Sequence, residues 1–157
     1  MSNGFTFFPT FFPPLACRYA PLLYASNRNQ LETIPVLLQA GADLHRSASS
    51  PHLIPPALHM AVAAHNTAHA LAMIDYAVDA ATLAPTIECR LPGHVTVWHM
   101  LADLNLLQVL TRLIELHTAT PEAAEALWES LAHMVNAEGL TPLQLAAREG
   151  HTGAVWL

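Results

Sequence analysis

Apolar residues along this chain recur in short groups that stop abruptly and start again. Leu31, Ile34, Leu37 and Leu38 repeat at steps of three and four, the spacing of one helix face. A second set pairs Leu58, Met60 and Ala61 with Met73 and Ile74, and a third pairs Trp98, Met100 and Leu101 with Leu107, Leu110, Leu113 and Ile114. The last set, Leu143, Leu145, Ala146 and Ala147, follows Thr141 and Pro142. Thr suits the cap of a helix and Pro its first position, where no N–H is needed. The pattern therefore predicts pairs of short helices. Between the two members of a pair stands a residue that tolerates the left-handed conformation: Asn29, Asn105 and Gly150. His65 holds that place in the second pair with Asn66 beside it, so the turn there is open to a slip of one residue.

Other breaks are as readable. Gly41 ends the second helix of the first pair, and Pro35 falls in that helix's first turn or so, where proline does least harm. The corresponding positions in the next two pairs are Ala77 and His117, so longer second helices or irregular connectors are expected. Pro85 and Pro92-Gly93 mark a loop before the third pair. After it, Thr120, Pro121 and Glu122 open an additional helix with Ala124, Leu127, Leu131 and Met134 on one face. That stretch reads either as an added helix on the outer side or as a kinked continuation of the preceding one.

The segment from Gly139, GLTPLQLAAREGH, resembles the first half of an ankyrin repeat. Taking Thr141 as the reference, its counterparts are Thr96, Pro56 and Ala20. The offsets of 36, 40 and 45 residues exceed the ankyrin period of about 33, so the units carry growing insertions. The resemblance implies an all-α fold, an ankyrin-repeat solenoid of stacked helix-turn-helix units with short hairpin loops. The units span about 15–45, 51–84, 91–117 and 136–157, with the extra helix near 121–134. No unit can bury its apolar face alone, so each must stack on the next. Unit four stops early in its second helix, which suggests a fragment or missing further repeats. Residues 1–14 hold all five Phe with Pro9, Pro13 and Pro14. They are expected to form a strap over the first unit, or else an adhesive peptide.

Composition narrows the partners. The chain is 53% hydrophobic and 11% charged, with a net charge of −6, and all six cations are Arg. No basic stripe exists, which argues against nucleic acid. The absence of Lys fits codon bias or, alternatively, a protein that escapes lysine modification in a host. Cys17 and Cys89 make no disulfide framework and suit a reducing compartment. The uncharged run from Ser47 to Ile74 is interrupted by histidines and prolines, so no membrane span is expected.

Ten histidines raise the question of metal or catalysis. His59 and His99 match the His of the ankyrin TPLH motif, where a hydrogen bond near the repeat turn is implied; His151 and His45 also match scaffold positions. His65 and His69 are four apart, but the repeat register puts one in the turn and the other in the next helix, so they share no face. No HExxH, GxSxG, phosphate-loop or GxGxxG motif occurs. Asp75 and Asp79 read as a solvated face. No catalytic residue, cofactor or metal is therefore expected.

What remains is recognition. The resemblance implies a scaffold or adaptor that holds a protein partner along the concave surface. By position, that surface draws on Tyr19, Asn27, Arg28, Val95, Asp103, Leu104, Leu140, Arg148 and Glu149, with Tyr19, Arg28 and Arg148 the expected anchors. A bacterial effector acting in the host cytosol is one form of this reading, and a cytoplasmic location its general form. The alternative is a targeting module of a larger enzyme that continues beyond residue 157. Self-association through exposed ends is a third course.

Overall fold

The structure is a computed structural model, and it describes residues 21–42, 44, 55–76, 83 and 86–156. The aromatic segment 1–14, Tyr19, Cys17, His45, Asp79 and the side chain of Asn27 lie outside the described residues. The protein is all-α. The helices described along their whole length are α1 (Pro21–Asn27), α2 (Thr33–Gln39), α3 (Ala57–Ala63), α4 (Thr67–Tyr76), α5 (Val97–Asp103), α6 (Leu107–His117), α7 (Pro121–His133), α8 (Pro142–Glu149) and α9 (Thr152–Val155), with a 3₁₀ turn at Pro92–His94. No strand occurs among the described residues, only an isolated antiparallel bridge between Leu91 and Val95.

The helices end where the left-handed residues stand. Asn29, His65, Asn105 and Gly150 have φ of 58°, 55°, 53° and 76°. In each case the next N–H reaches back over the turn: Gln30 to Ala25, Asn66 to Ala61, Leu106 to Leu101 and His151 to Ala146, at 2.8 to 3.1 Å. This is the closing bond of the Schellman motif, which satisfies a carbonyl the helix leaves open. The turn in the second pair does not slip to Asn66; His65 itself takes the left-handed position. The Asn66 amide instead donates to Asn29 Oδ1 at 2.6 Å. Helix starts follow the capping rules as well. Thr141 Oγ1 accepts from the Gln144 N–H, and Gln144 Oε1 accepts from the Thr141 N–H, a reciprocal capping box. Thr120 Oγ1 accepts from the Ala123 N–H at 3.2 Å.

Second helices without a terminating glycine are longer. α4 has 10 residues and α6 has 11, against 7 for α2, which Gly41 closes at φ +84°. The segment after α6 is a separate helix, since residues 118–120 break the chain before α7. α7 packs against α6 with Leu127 and Met134 buried and Leu131 partly so.

Packing orders these pairs into two rows. α1 touches α3, α3 touches α5 and α5 touches α8; likewise α2 touches α4, α4 touches α6 and α6 touches α9. Within each pair the helices also touch. One apolar cluster runs through the rows, with Leu22, Leu38, Leu58, Met73, Trp98 and Leu113 among its members. Each large side chain of this kind contributes roughly 2 kcal/mol by leaving water. Leu22, Leu58 and Trp98 occupy equivalent positions and are buried, yet Leu143, the fourth of the set, is 57% exposed, and Ala147 is exposed too. Among the described helices α8 touches only α5 and α9 strongly, so its other side is bare. Leu31 differs from expectation as well: α2 begins at Thr33, which leaves Leu31 outside the helix and exposed.

Candidate partner-binding surface

The loops that precede α5 and α8 are built alike. The Leu91 N–H donates to the Val95 carbonyl at 2.7 Å, and the Asn136 N–H donates to the Leu140 carbonyl at 3.0 Å. Gly93 and Gly139 supply the positive φ each tight turn needs, at 81° and 75°. The two tips are joined directly, because the Ala137 N–H donates to the Gly93 carbonyl at 2.7 Å. Val95 and Leu140 thus stand on neighbouring, mutually bonded loops, each half-buried.

Leu140 has a structural duty that its position did not disclose. Its carbonyl also accepts from His99 Nε2 at 3.1 Å. On the other side of that ring, Nδ1 accepts from the Thr96 N–H at 3.3 Å and lies 2.9 Å from Thr96 Oγ1. A carbonyl only accepts, so Nε2 carries the proton and the imidazole is neutral. Burial lowers the pKa of His99, and the Leu140 carbonyl partly opposes that.

At the opposite ends of the first-row helices, several of the expected contact residues converge. Asp103 is the last residue of α5 and Leu104 follows it as the C-cap, half-buried. Arg148 and Glu149 end α8. The Arg148 guanidinium donates to Glu149 at 2.9 Å and to Glu138 on the adjoining loop. Burial pushes the Asp103 carboxyl above its usual range, with Glu149 adding to the rise and Arg148 and His151 opposing it. His151 Nε2 donates to the Asp103 main-chain carbonyl at 2.8 Å, which ties the turn after α8 to the end of α5. The result is a surface patch of three carboxylates, one guanidinium and one imidazole.

Arg28 lies at the far end of the same row. Its N–H donates to the Tyr24 carbonyl at 3.0 Å, and its guanidinium sits 5.5 Å from the centre of the Tyr24 ring, a cation–π distance. Tyr24 is 50% exposed. Tyr24, Glu138 and His151 are the members of this surface that the expected contact set left out, His151 having been assigned to the scaffold. Tyr24 was open to detection, because residues four apart on a helix face each other. Glu138 was not: it meets Arg148 through a loop whose course no periodicity encodes.

The second row presents a different surface. Asp75 on α4 pairs with Arg112 on α6 at 2.6 Å, and Arg112 also reaches Glu115 at 3.2 Å. These charged residues line an open groove together with Leu71, Leu107 and Gln108. His65 is exposed at its turn while His69 is buried in α4, so the two do not converge. No group of three or more His, Cys, Asp or Glu residues able to hold a metal occurs among the described residues. Among them, too, no helix is long and apolar enough to cross a membrane. No protein-family model matches the chain, and no curated protein matches it either.

Proposed function

We propose that this chain is an ankyrin-type repeat solenoid that serves as a protein-interaction scaffold, without chemistry, cofactor or metal of its own. The observation that carries the reading is the register between layers. Equivalent residues end the first helix of every pair with the same turn, and equivalent helices touch in succession. Repeats of that kind offer a partner an extended surface made of loop tips and first-row helices. On this chain the surface runs from Tyr24 and Arg28 past Leu104 to Asp103, Arg148 and Glu149. The half-buried Val95 and Leu140 flank it on the loops. The exposed aromatic and guanidinium groups suit the anchoring role such residues take at interfaces. Its acidic patch favours a protein partner over a nucleic acid. The setting that fits best is the cytosol, including a host cytosol in the effector form.

The test is affinity capture with the full chain, followed by calorimetry on the captured protein. Replacing Arg28, Asp103 and Arg148 together by alanine is expected to weaken binding at least tenfold with an unchanged melting temperature. Equal affinity of the triple variant would remove this surface from consideration.

A further inference from the structure

Two buried side chains in the middle of the stack are neutral by necessity. His59 on α3 is fully enclosed and His69 on α4 is 1% exposed. Among the described residues none of their four ring nitrogens closes a hydrogen bond of good geometry, and His59 has only the Cys89 main chain within reach. α3 and α4 pack on each other, so both rings belong to one helical pair. An imidazole enclosed without a partner cannot carry charge, because the cation gives up its hydration and gains nothing in return.

His59 lacks its partners for a local reason. It stands where His99 stands one layer on, but Pro56 replaces Thr96. Proline has neither the hydroxyl nor the N–H that Thr96 turns toward His99. Burial takes the His59 pKa down to about 4, and a hydrogen-bonding approach to the Cys89 main chain opposes the fall only in part. Burial also lowers the pKa of His69.

Among the described residues no charge compensates, Glu88 and Arg90 included, which flank the Cys89 main chain that meets His59. The helices packed on α3 carry Tyr24 (α1), His69, Asp75 and Tyr76 (α4), and His99 and Asp103 (α5). Those packed on α4 carry His59 (α3) and Arg112, Glu115 and His117 (α6), while α2 has no titratable side chain. Asp75, Arg112 and Glu115 are exposed and bound to each other. Asp103 lies in the patch with Arg148 and Glu149. None of these charges acts appreciably on either ring.

We propose that the α3–α4 pair is an acid-operated opening point: His59 and His69 take up protons only when this layer comes apart, so mild acid opens it before the layers on either side. The opening separates α1–α2 from α5–α6, which meet α3–α4 from opposite sides. The sign follows from linkage. The opened pair binds protons near the ordinary histidine value, whereas in the closed pair His59 binds one only near pH 4 and His69 below its ordinary value. Closure is therefore insensitive to pH above about 6.5 and weakens steadily below it. For His59 alone, the opening constant at pH 5 exceeds that at pH 8 by about thirtyfold. The inference is independent of any partner.

Backbone hydrogen exchange at pH 8 and pH 5, corrected for intrinsic rates, tests it on the full chain. Protection in α3 and α4 is expected to fall about thirtyfold or more, and in α5 and α8 by a few-fold. Replacing His59 and His69 together by leucine is expected to abolish the selective fall. Should that variant not fold, the single variants His59→Leu and His69→Leu decide instead, since each removes one of the two proton acceptors and must shrink the fall. An equal loss of protection in every layer, or the same loss in the double leucine variant or in both single leucine variants, would overturn the proposal.

Discussion

The layer that contains α3 and α4 and the one that contains α5 and α6 begin in the same register, PALHMAV against TVWHMLA, and share the central His-Met. Both place an imidazole at the fourth residue, and both bury it completely. In one, the ring bridges Thr96 to the Leu140 carbonyl and so links its own helix to a loop 41 residues away. In the other, the ring closes no hydrogen bond of good geometry and has only the Cys89 main chain beside it. The same side chain is a fastener in one layer and a liability in the next, and one neighbouring residue, Pro56 or Thr96, sets much of the difference. A buried polar group contributes through its partners rather than through its own chemistry.

Replacing each histidine by leucine breaks this comparison most directly. His99→Leu leaves the buried Thr96 N–H without an acceptor and severs the tie to Leu140, and is expected to cost about 2–3 kcal/mol. His59→Leu removes no hydrogen bond and is expected to be neutral or to raise stability at pH 7. Urea denaturation of the two variants checks both signs; equal costs would show that the rings are used alike. Pro56→Thr sharpens the contrast from the other side, with a gain of about 1 kcal/mol expected from restored capping, read by the same denaturation. The smallest effect lies at the turns. His65 holds the left-handed position that Gly150 holds after α8, so His65→Gly relieves strain while loosening the unfolded chain. The two terms leave a gain of at most about 1 kcal/mol, and a fall in melting temperature would contradict it.

Much of the helical layout was legible before the structure. Asn29, Asn105 and Gly150 marked the turns, Thr120 and Pro121 opened α7, and the absence of glycine at Ala77 and His117 foretold the longer α4 and α6. At His65 the residue type misled, because imidazole is a poorer left-handed residue than the adjacent Asn66, yet the register of the stack holds the turn in place. The surface was less legible. Asp103, Arg148 and Glu149 do converge, but Arg148 is already engaged by Glu138 and Glu149, and Leu140 is committed through its carbonyl to His99. Neither engagement has a counterpart in spacing or composition.

Sequence alone determined what is decided within a few residues: where helices begin and end, which face is apolar, and which positions take the left-handed turn. Caps, prolines and side-chain periodicity act over a single turn of helix, so local text suffices. Tertiary structure decided what depends on neighbours 30 or more positions away. Leu143 is exposed while Leu22 and Leu58, the same residue at equivalent places, are buried, because α1 and α3 are each followed by another first-row helix and, among the described residues, α8 is not. His99 is satisfied and His59 is not, because an acceptor such as the Leu140 carbonyl reaches a ring only when two distant segments are brought together.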